Sequence, residues 1–529
     1  MRFAILLAVA LLGAPPAAPS PPPGALTIAY HVAMPDPESH LFDVTIDVGR
    51  LHGDTLAMQM PVWSPGRYAR MDFARNVRGL TATTADGRPL AWDQANGSRW
   101  RIALGGATAV RIHYVVFADN LSGTFSVLDP RHANWNGASL FLYVVDHKPD
   151  PVRLTIDPPA GWLVMNGDVH AAGQREFTFE NYDRLIDTPT EVAPAADLEV
   201  DSFRVDGIWY RTVVHRDGPD HGQRARFVRD IERVVRTTNR VIAPPPLSEY
   251  TFLFHVGFPG GDGMEHLYST QIINAAPWTE SAIVLSGVGT AAHEYFHAWN
   301  VKRIRPSALG PFDYTTEQYE PSLWVAEGWT QYYGEIDLAR SGIETPADWY
   351  RDLETLIRAD AETPGRKEVS ARRASFLAPF WDGASTPMET DRAHSFFTYY
   401  GRGAVLALTL DLQIRARTNG TRSLDDVLRT LKRHVWDEAP AATYYLQGRG
   451  YTEDDVERAA SEVAGVDLHP WFTRYAGGTD DLPWDETLAA VGLRLTVTDA
   501  PDGKSYVVAE DPDATDAARR LRSRWLSEP

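Results

Sequence analysis

The chain contains no cysteine in 529 residues. Disulfides and thiol catalysis are therefore excluded, and the fold must be stable without covalent cross-links. Positive charge is also scarce: 51 Lys and Arg face 70 Asp and Glu, for a net charge of −19 and a pI of about 5.3. That balance argues against nucleic acid or an anionic membrane surface as a partner. Long hydrophobic runs are missing beyond the first dozen residues, so no segment has the length of a membrane span. No internal repeat is present. What remains, 44% hydrophobic and 23% charged residues, is the composition of a globular protein too long for one core.

Met1-Arg2, the apolar run Phe3–Leu12 and the small residues after it read as a secretory signal peptide over residues 1–18, cleaved at Ala17 or Ala18. A Pro-rich spacer (19–24) follows, and the reading implies an exported, periplasmic or secreted protein. Residues 25–185 alternate as β-strands do: Phe42, Val44, Ile46 and Val48 interleave with polar residues, as do Val110, Ile112 and Tyr114. This predicts an N-terminal β-sandwich or saddle domain. The stretch 186–215, with Asp-Thr-Pro-Thr-Glu-Val-Ala-Pro-Ala-Ala, reads as a boundary. Beyond it Phe227, Ile231, Val234, Val235 and Val241 recur at helical spacing, and 249–258 reads as a strand. After residue 330 the pattern is helical, with segments expected at 349–358, 403–415, 424–436 and 452–463, the last opened by Thr452 and Asp455 as a capping box. The expected class is multidomain α+β, with an α/β lobe to about residue 300, a helical lobe to 479 and a short tail over 480–529 whose basic segment 519–525 packs back on the helices.

The chemistry concentrates at His293-Glu294-Tyr295-Phe296-His297. HExxH on a helix sets two imidazoles one turn apart, able to bind one metal ion, with Glu294 pointing to the neighbouring side where the attacking water would sit. A catalytic zinc needs a third protein ligand. Glu317, Glu320 and Glu327 compete downstream. Spacing alone favours Glu317. Local pattern favours Glu327, because Glu317 and Glu320 lie in a polar, Pro321-containing loop, whereas Glu327 lies among Trp324, Val325, Trp329 and Tyr332 in what reads as a packed helix. We therefore assign one Zn²⁺ to His293, His297 and Glu327.

His-Glu-Tyr-Phe-His-Ala-Trp-Asn-Val-Lys-Arg-Ile-Arg-Pro (293–306), followed by Leu-Trp-Val-Ala-Glu-Gly-Trp-Thr-Gln-Tyr-Tyr (323–333), resembles the glycyl aminopeptidase family of gluzincin metallopeptidases. Met-Pro-Val-Trp-Ser-Pro-Gly-Arg-Tyr (60–68) is similar to that family's N-terminal domain, and Tyr-Tyr-Gly-Arg-Gly-Ala (399–404) to its later helical segment. The resemblance implies a thermolysin-like catalytic domain, usually followed by a PDZ domain, for which 480–529 is too short.

The same resemblance assigns roles. Tyr400, in Tyr-Gly-Arg-Gly, is similar to the oxyanion-stabilising tyrosine of related aminopeptidases, with Tyr399 as its competitor. Gly263-Met264-Glu265 looks like the element that meets the substrate: Gly263 lets the peptide backbone approach, and Glu265 pairs with its free α-ammonium group. Glu294 acts as the base. Arg303 and Arg305 read as solvated helix-end cations, and His255 and His394 as ordinary hydrogen-bonded histidines. The reading is a zinc aminopeptidase acting on peptides with a free N-terminus, small residues such as Gly or Ala preferred. A zinc endopeptidase and a non-catalytic peptide-binding scaffold are the alternatives.

Overall fold

Alternating side chains become strands. Leu41–Gly49 and Ala109–Phe117 pair antiparallel along their whole length, with Phe42, Val44, Ile46 and Val48 on one buried face. The structure, a computed structural model, describes residues 24–168, 173–381, 397–439, 448–501 and 503–527; the expected signal peptide and His394 lie outside them. These two strands are neighbours inside a six-stranded sheet, which shares its core with a four-stranded sheet built on Thr55–Gln59 and Arg99–Ala103. Tyr30, Phe42, Trp63, Trp135 and Tyr182 fill the core between them.

A third sheet contains Ser126–Leu128, Ala133–Trp135, Thr190–Pro194 and Trp162–Asn166. The stretch that reads as a boundary thus contributes a strand. Its alternation explains this: Val192 joins the N-terminal core, while Glu191 faces the next lobe and meets His215 and His255 there. The chain leaves the N-terminal sheets at the turn where Asp197 N–H bonds the Pro194 carbonyl.

The next lobe is a five-stranded sheet in the order Leu198–Val205, Ile208–Arg216, Glu249–Val256, Ser269–Asn274, Gly261–Glu265. Helix Arg224–Val241 makes the crossover between the parallel strands Ile208–Arg216 and Glu249–Val256. It buries Phe227, Ile231, Val234 and Val235 against the sheet, in one cluster with Phe254 and Trp278. Gly261–Glu265 is the antiparallel edge strand.

Helices follow, as expected for this α+β fold. The segment expected at 349–358 runs from Pro346 to Glu362 because Thr345 and Asp348 form a capping box. That expected at 403–415 begins earlier, at Tyr399, capped by Thr398. Thr452 and Asp455 cap Glu453–Ala464. Gly328 and Gly403 let two helices cross backbone to backbone: a Cβ on Gly328 would lie 2.3 Å from Gly403 Cα. No described helix is long and apolar enough to cross a membrane.

The last residues add a hairpin, Leu493–Ala500 with Gly503–Glu510, and helix Asp516–Leu526. Trp525 is fully buried; its indole N–H donates to the Tyr332 hydroxyl at 2.8 Å and its ring packs edge-on to Trp349. Burial of a whole indole fixes this helix to the helical lobe. Trp525→Ala should destabilise the protein by about 3–5 kcal/mol, read as a lowered midpoint in denaturant unfolding, with Trp525→Phe losing less. An unchanged midpoint would show that the terminal helix is not docked.

Candidate metal centre and active site

A π-helical turn, Val284–Val288, runs into helix Gly289–Phe296, and His297 closes it. One turn of helix brings His293 Nε2 and His297 Nε2 to 3.1 Å. Glu327 reaches them from a second chain segment, its Oε2 3.4 Å from His293 Nε2 and 3.2 Å from His297 Nε2. It sits at a joint rather than within one helix: Leu323–Ala326 ends before it and Gly328–Arg340 begins after it. The two segments can approach because residue 334 is glycine, whose Cβ would lie 3.1 Å from the His293 backbone.

Three donors 3.1–3.4 Å apart fit a small tetrahedral cation. Zinc bonds of about 2.0–2.1 Å place neighbouring ligand atoms about 3.3 Å apart. Nitrogen and carboxylate oxygen are the donors such an ion takes. The surroundings fix the tautomer as well. His297 Nδ1–H donates to the Asn300 carbonyl at 2.5 Å, leaving the Nε2 lone pair for the ion. The Asn300 amide in turn donates to the Val325 and Ala326 carbonyls and to Thr330 Oγ1, tying the HExxH turn to the segment that carries Glu327.

Glu317 and Glu320 are held elsewhere. Glu317 lies near Arg70 at the surface, and Glu320 accepts the Ser322 backbone N–H at 2.7 Å.

The site crowds negative charge into a dry space. Glu265, Glu294 and His297 offer ligand atoms within 4.8 Å of one another, all three buried. Burial pushes the Glu294 carboxyl up to about 8. Burial opposes charge on Glu327 too, but the facing imidazoles of His297 and His293 win and hold its carboxyl well below the usual carboxylate range. Glu265 Oε1 is buried without a hydrogen-bond partner, 3.9 Å from Lys302 Nζ. His266 beside it turns away and bonds Asp187. Gly263 is pressed against Glu294: a Cβ there would lie 2.0 Å from Glu294 Oε1.

Tyr400 lines the same cleft as His293 and Glu294, with its ring stacked 6.1 Å from that of His293. Tyr399 is buried behind it against Tyr68. Arg303 and Arg305 differ from the expectation of solvated cations. Both are buried, because the chain folds back after His297; Arg303 donates to the Ala298 carbonyl and packs on Tyr268.

Sequence reasoning missed what the N-terminal domain contributes. Tyr68 O–H donates to Glu327 Oε1, and Arg67 pairs with Asp262 and donates to the Gly263 carbonyl at 3.1 Å, anchoring the edge strand. Both stand in the 60–68 element, yet a single sequence carries no signal that this loop enters a site more than two hundred residues away. A ligand carboxylate that loses its outer hydrogen bond usually loses about 10–100-fold in metal affinity. Tyr68→Phe should therefore weaken Zn²⁺ binding by about that factor in chelator competition, with the fold intact by circular dichroism. Unchanged affinity would remove Tyr68 from the metal's support.

Comparison with known proteins agrees with this geometry. Residues 29–194 match the Peptidase M61 N-terminal domain and residues 286–406 the M61 glycyl aminopeptidase domain. No curated protein sequence matches significantly. Among solved structures, an aminopeptidase N family protein from Idiomarina loihiensis superposes with a TM-score of 0.79 at 27% identity, over 89% of this chain and 80% of that one. An M1 zinc metallopeptidase from Deinococcus radiodurans shares the fold, with a TM-score of 0.51 at 15% identity over 87% and 96% of the two chains. A mutant of that enzyme bound to a Tyr-Ser-Ala substrate gives 0.50 at 16% identity over 87% and 95%. With both domains matched over more than half its length and the HExxH helix inside the second, the chain belongs to the M61 glycyl aminopeptidase family and is a peptidase.

Proposed function

We propose that the protein is an aminopeptidase that binds one catalytic Zn²⁺ through His293, His297 and Glu327 and releases small N-terminal residues, Gly or Ala, from peptides. The observation that carries the exopeptidase character is Glu265: a buried carboxylate with an unpartnered oxygen, on the sheet's edge strand and within 4.8 Å of both Glu294 and His297. A substrate α-ammonium group is a fitting partner for such an oxygen, since Lys302 Nζ at 3.9 Å is beyond hydrogen-bond reach and a charged hydrogen bond would satisfy it. The preference for Gly or Ala rests on the family. Export rests on the apolar N-terminal run.

Zinc held by the triad would supply Lewis acidity, polarising the scissile carbonyl and lowering the pKa of water towards about 7. The chain's own groups do the rest. Glu294 takes the proton of the attacking water and hands it to the leaving amine; burial raises the carboxyl's affinity for that proton, and a cation beside it would favour the ionised form that accepts it. Tyr400 donates its phenolic hydrogen to the carbonyl oxygen as charge develops there. Tyr399, buried behind it, is a packing residue.

Glu294→Gln keeps the side chain's volume and removes the base. It should retain zinc and lose turnover by about 10²–10⁴-fold or more, whereas Tyr400→Phe should lower kcat by about 10²–10³-fold with little change in KM. Steady-state kinetics beside metal analysis checks both, and normal turnover in Tyr400→Phe with loss in Tyr399→Phe would transfer the oxyanion role.

Free Gly- and Ala-arylamides should be cleaved and their N-acetyl forms not, because an acetylated terminus leaves Glu265 unpaired. Glu265→Ala should lose most activity on the free substrates. Comparable rates on free and acetylated substrates in the wild-type protein would make it an endopeptidase instead.

A further inference from the structure

A second group of metal-ligating side chains lies outside the catalytic cleft, where the N-terminal sheets meet the α/β lobe. Glu191, on strand Thr190–Pro194, receives three imidazoles. His132 Nδ1 and His215 Nδ1 lie 3.1 and 2.8 Å from its Oε1, and His255 Nε2 lies 2.9 Å from its Oε2. All four ligand atoms fall within 4.8 Å of one another. None of the four residues is more than 5% exposed. The Phe258 ring packs against all three imidazoles, with centroids 4.9–5.6 Å away.

We propose that His132, Glu191, His215 and His255 form a second, structural site for a divalent transition metal of the zinc type, clasping the N-terminal domain to the catalytic domain. Three imidazoles and one carboxylate are a donor set that such ions take, and four donors close a site with no open position for a substrate. The three imidazole nitrogens lie 2.8–3.1 Å from the Glu191 oxygens, close to the spacing of about 3.3 Å between neighbouring ligand atoms of a tetrahedral zinc ion. Each ring's side-chain hydrogen bonds among the described residues run to Glu191 alone, and His255 Nδ1 is buried without a partner.

The clasp bears on the active site through the sheet. His215 and His255 are paired directly across the parallel strands Ile208–Arg216 and Glu249–Val256. The second of these continues through Phe258 into the edge strand Gly261–Glu265, which carries Gly263 and Glu265. In a chain without cysteine, a metal bridge can join two domains where a disulfide cannot.

The test uses the untagged chain carrying His293→Gln and His297→Gln, which removes the catalytic ligands and isolates the second group whatever the protein's activity. After chelator stripping, titration with Zn²⁺ should give one ion per chain, Co²⁺ should show the visible absorption of a tetrahedral nitrogen–oxygen site, and Zn²⁺ should raise the melting temperature. The wild type should bind two ions. Adding His215→Gln and His255→Gln, or Glu191→Gln, should abolish uptake and the thermal shift together. A folded His293→Gln/His297→Gln protein that takes up neither metal would overturn the proposal and leave the cluster a hydrogen-bonded knot. Uptake unchanged by Glu191→Gln would overturn it equally.

Discussion

The hydrogen bond from His297 Nδ1 to the Asn300 carbonyl is the contact on which the site's geometry depends. It turns the Nε2 lone pair towards His293 and Glu327. Through its amide, the same asparagine holds the Val325 and Ala326 carbonyls and Thr330, so the two segments bearing the triad share one anchor. Close approach of those segments requires the missing side chains of Gly334 and, one layer out, of Gly328 and Gly403. A displacement of either helix by the width of a methyl group would open donor distances that an ion with short, fixed bonds does not tolerate.

Around that anchor the problem is electrostatic. Glu265, Glu294 and Glu327 are all buried within one small volume, where mutual repulsion is weakly screened. Positive groups set the balance. Lys302 stands beside Glu265 and Asp187, the two imidazoles face Glu327, and a bound cation would add the largest charge of all. The differing response of the carboxyls follows from their neighbours: Glu327 stays ionised against two imidazoles, while Glu294, with burial dominant, rises to about 8. One small volume thus holds two carboxyls whose proton affinities are pushed in opposite directions.

The catalytic domain does not build this site alone. Tyr68 supports Glu327, Arg67 secures Asp262 and Gly263, and a Cβ on Gly66 would strike the Glu265 carboxylate. The register between the two domains therefore matters to the chemistry. Glu191 with its three histidines, on the opposite side of the central strands, is a further polar contact between the two domains in a chain without disulfides.

Local pattern was enough for much of this. Alternation at 41–49 and 109–117, helical spacing at 224–241 and the Thr452–Asp455 cap all become the elements they imply, because each element buries its own face against the nearest core. The HExxH turn is equally local: an α-helix sets His293 beside His297 wherever the sequence occurs. Choosing Glu327 over Glu317 was within reach for the same reason, since apolar neighbours mark a packed segment. Other features were decided only in three dimensions. The strand at Thr190–Pro194 was hidden by prolines, burial of Arg303 and Arg305 by their charge, and the parts of Tyr68 and Glu191 by sequence distance. Periodicity reports which face of an element is apolar. It carries no information on which distant side chain will meet that face, because such meetings are fixed by how whole sheets and helices pack.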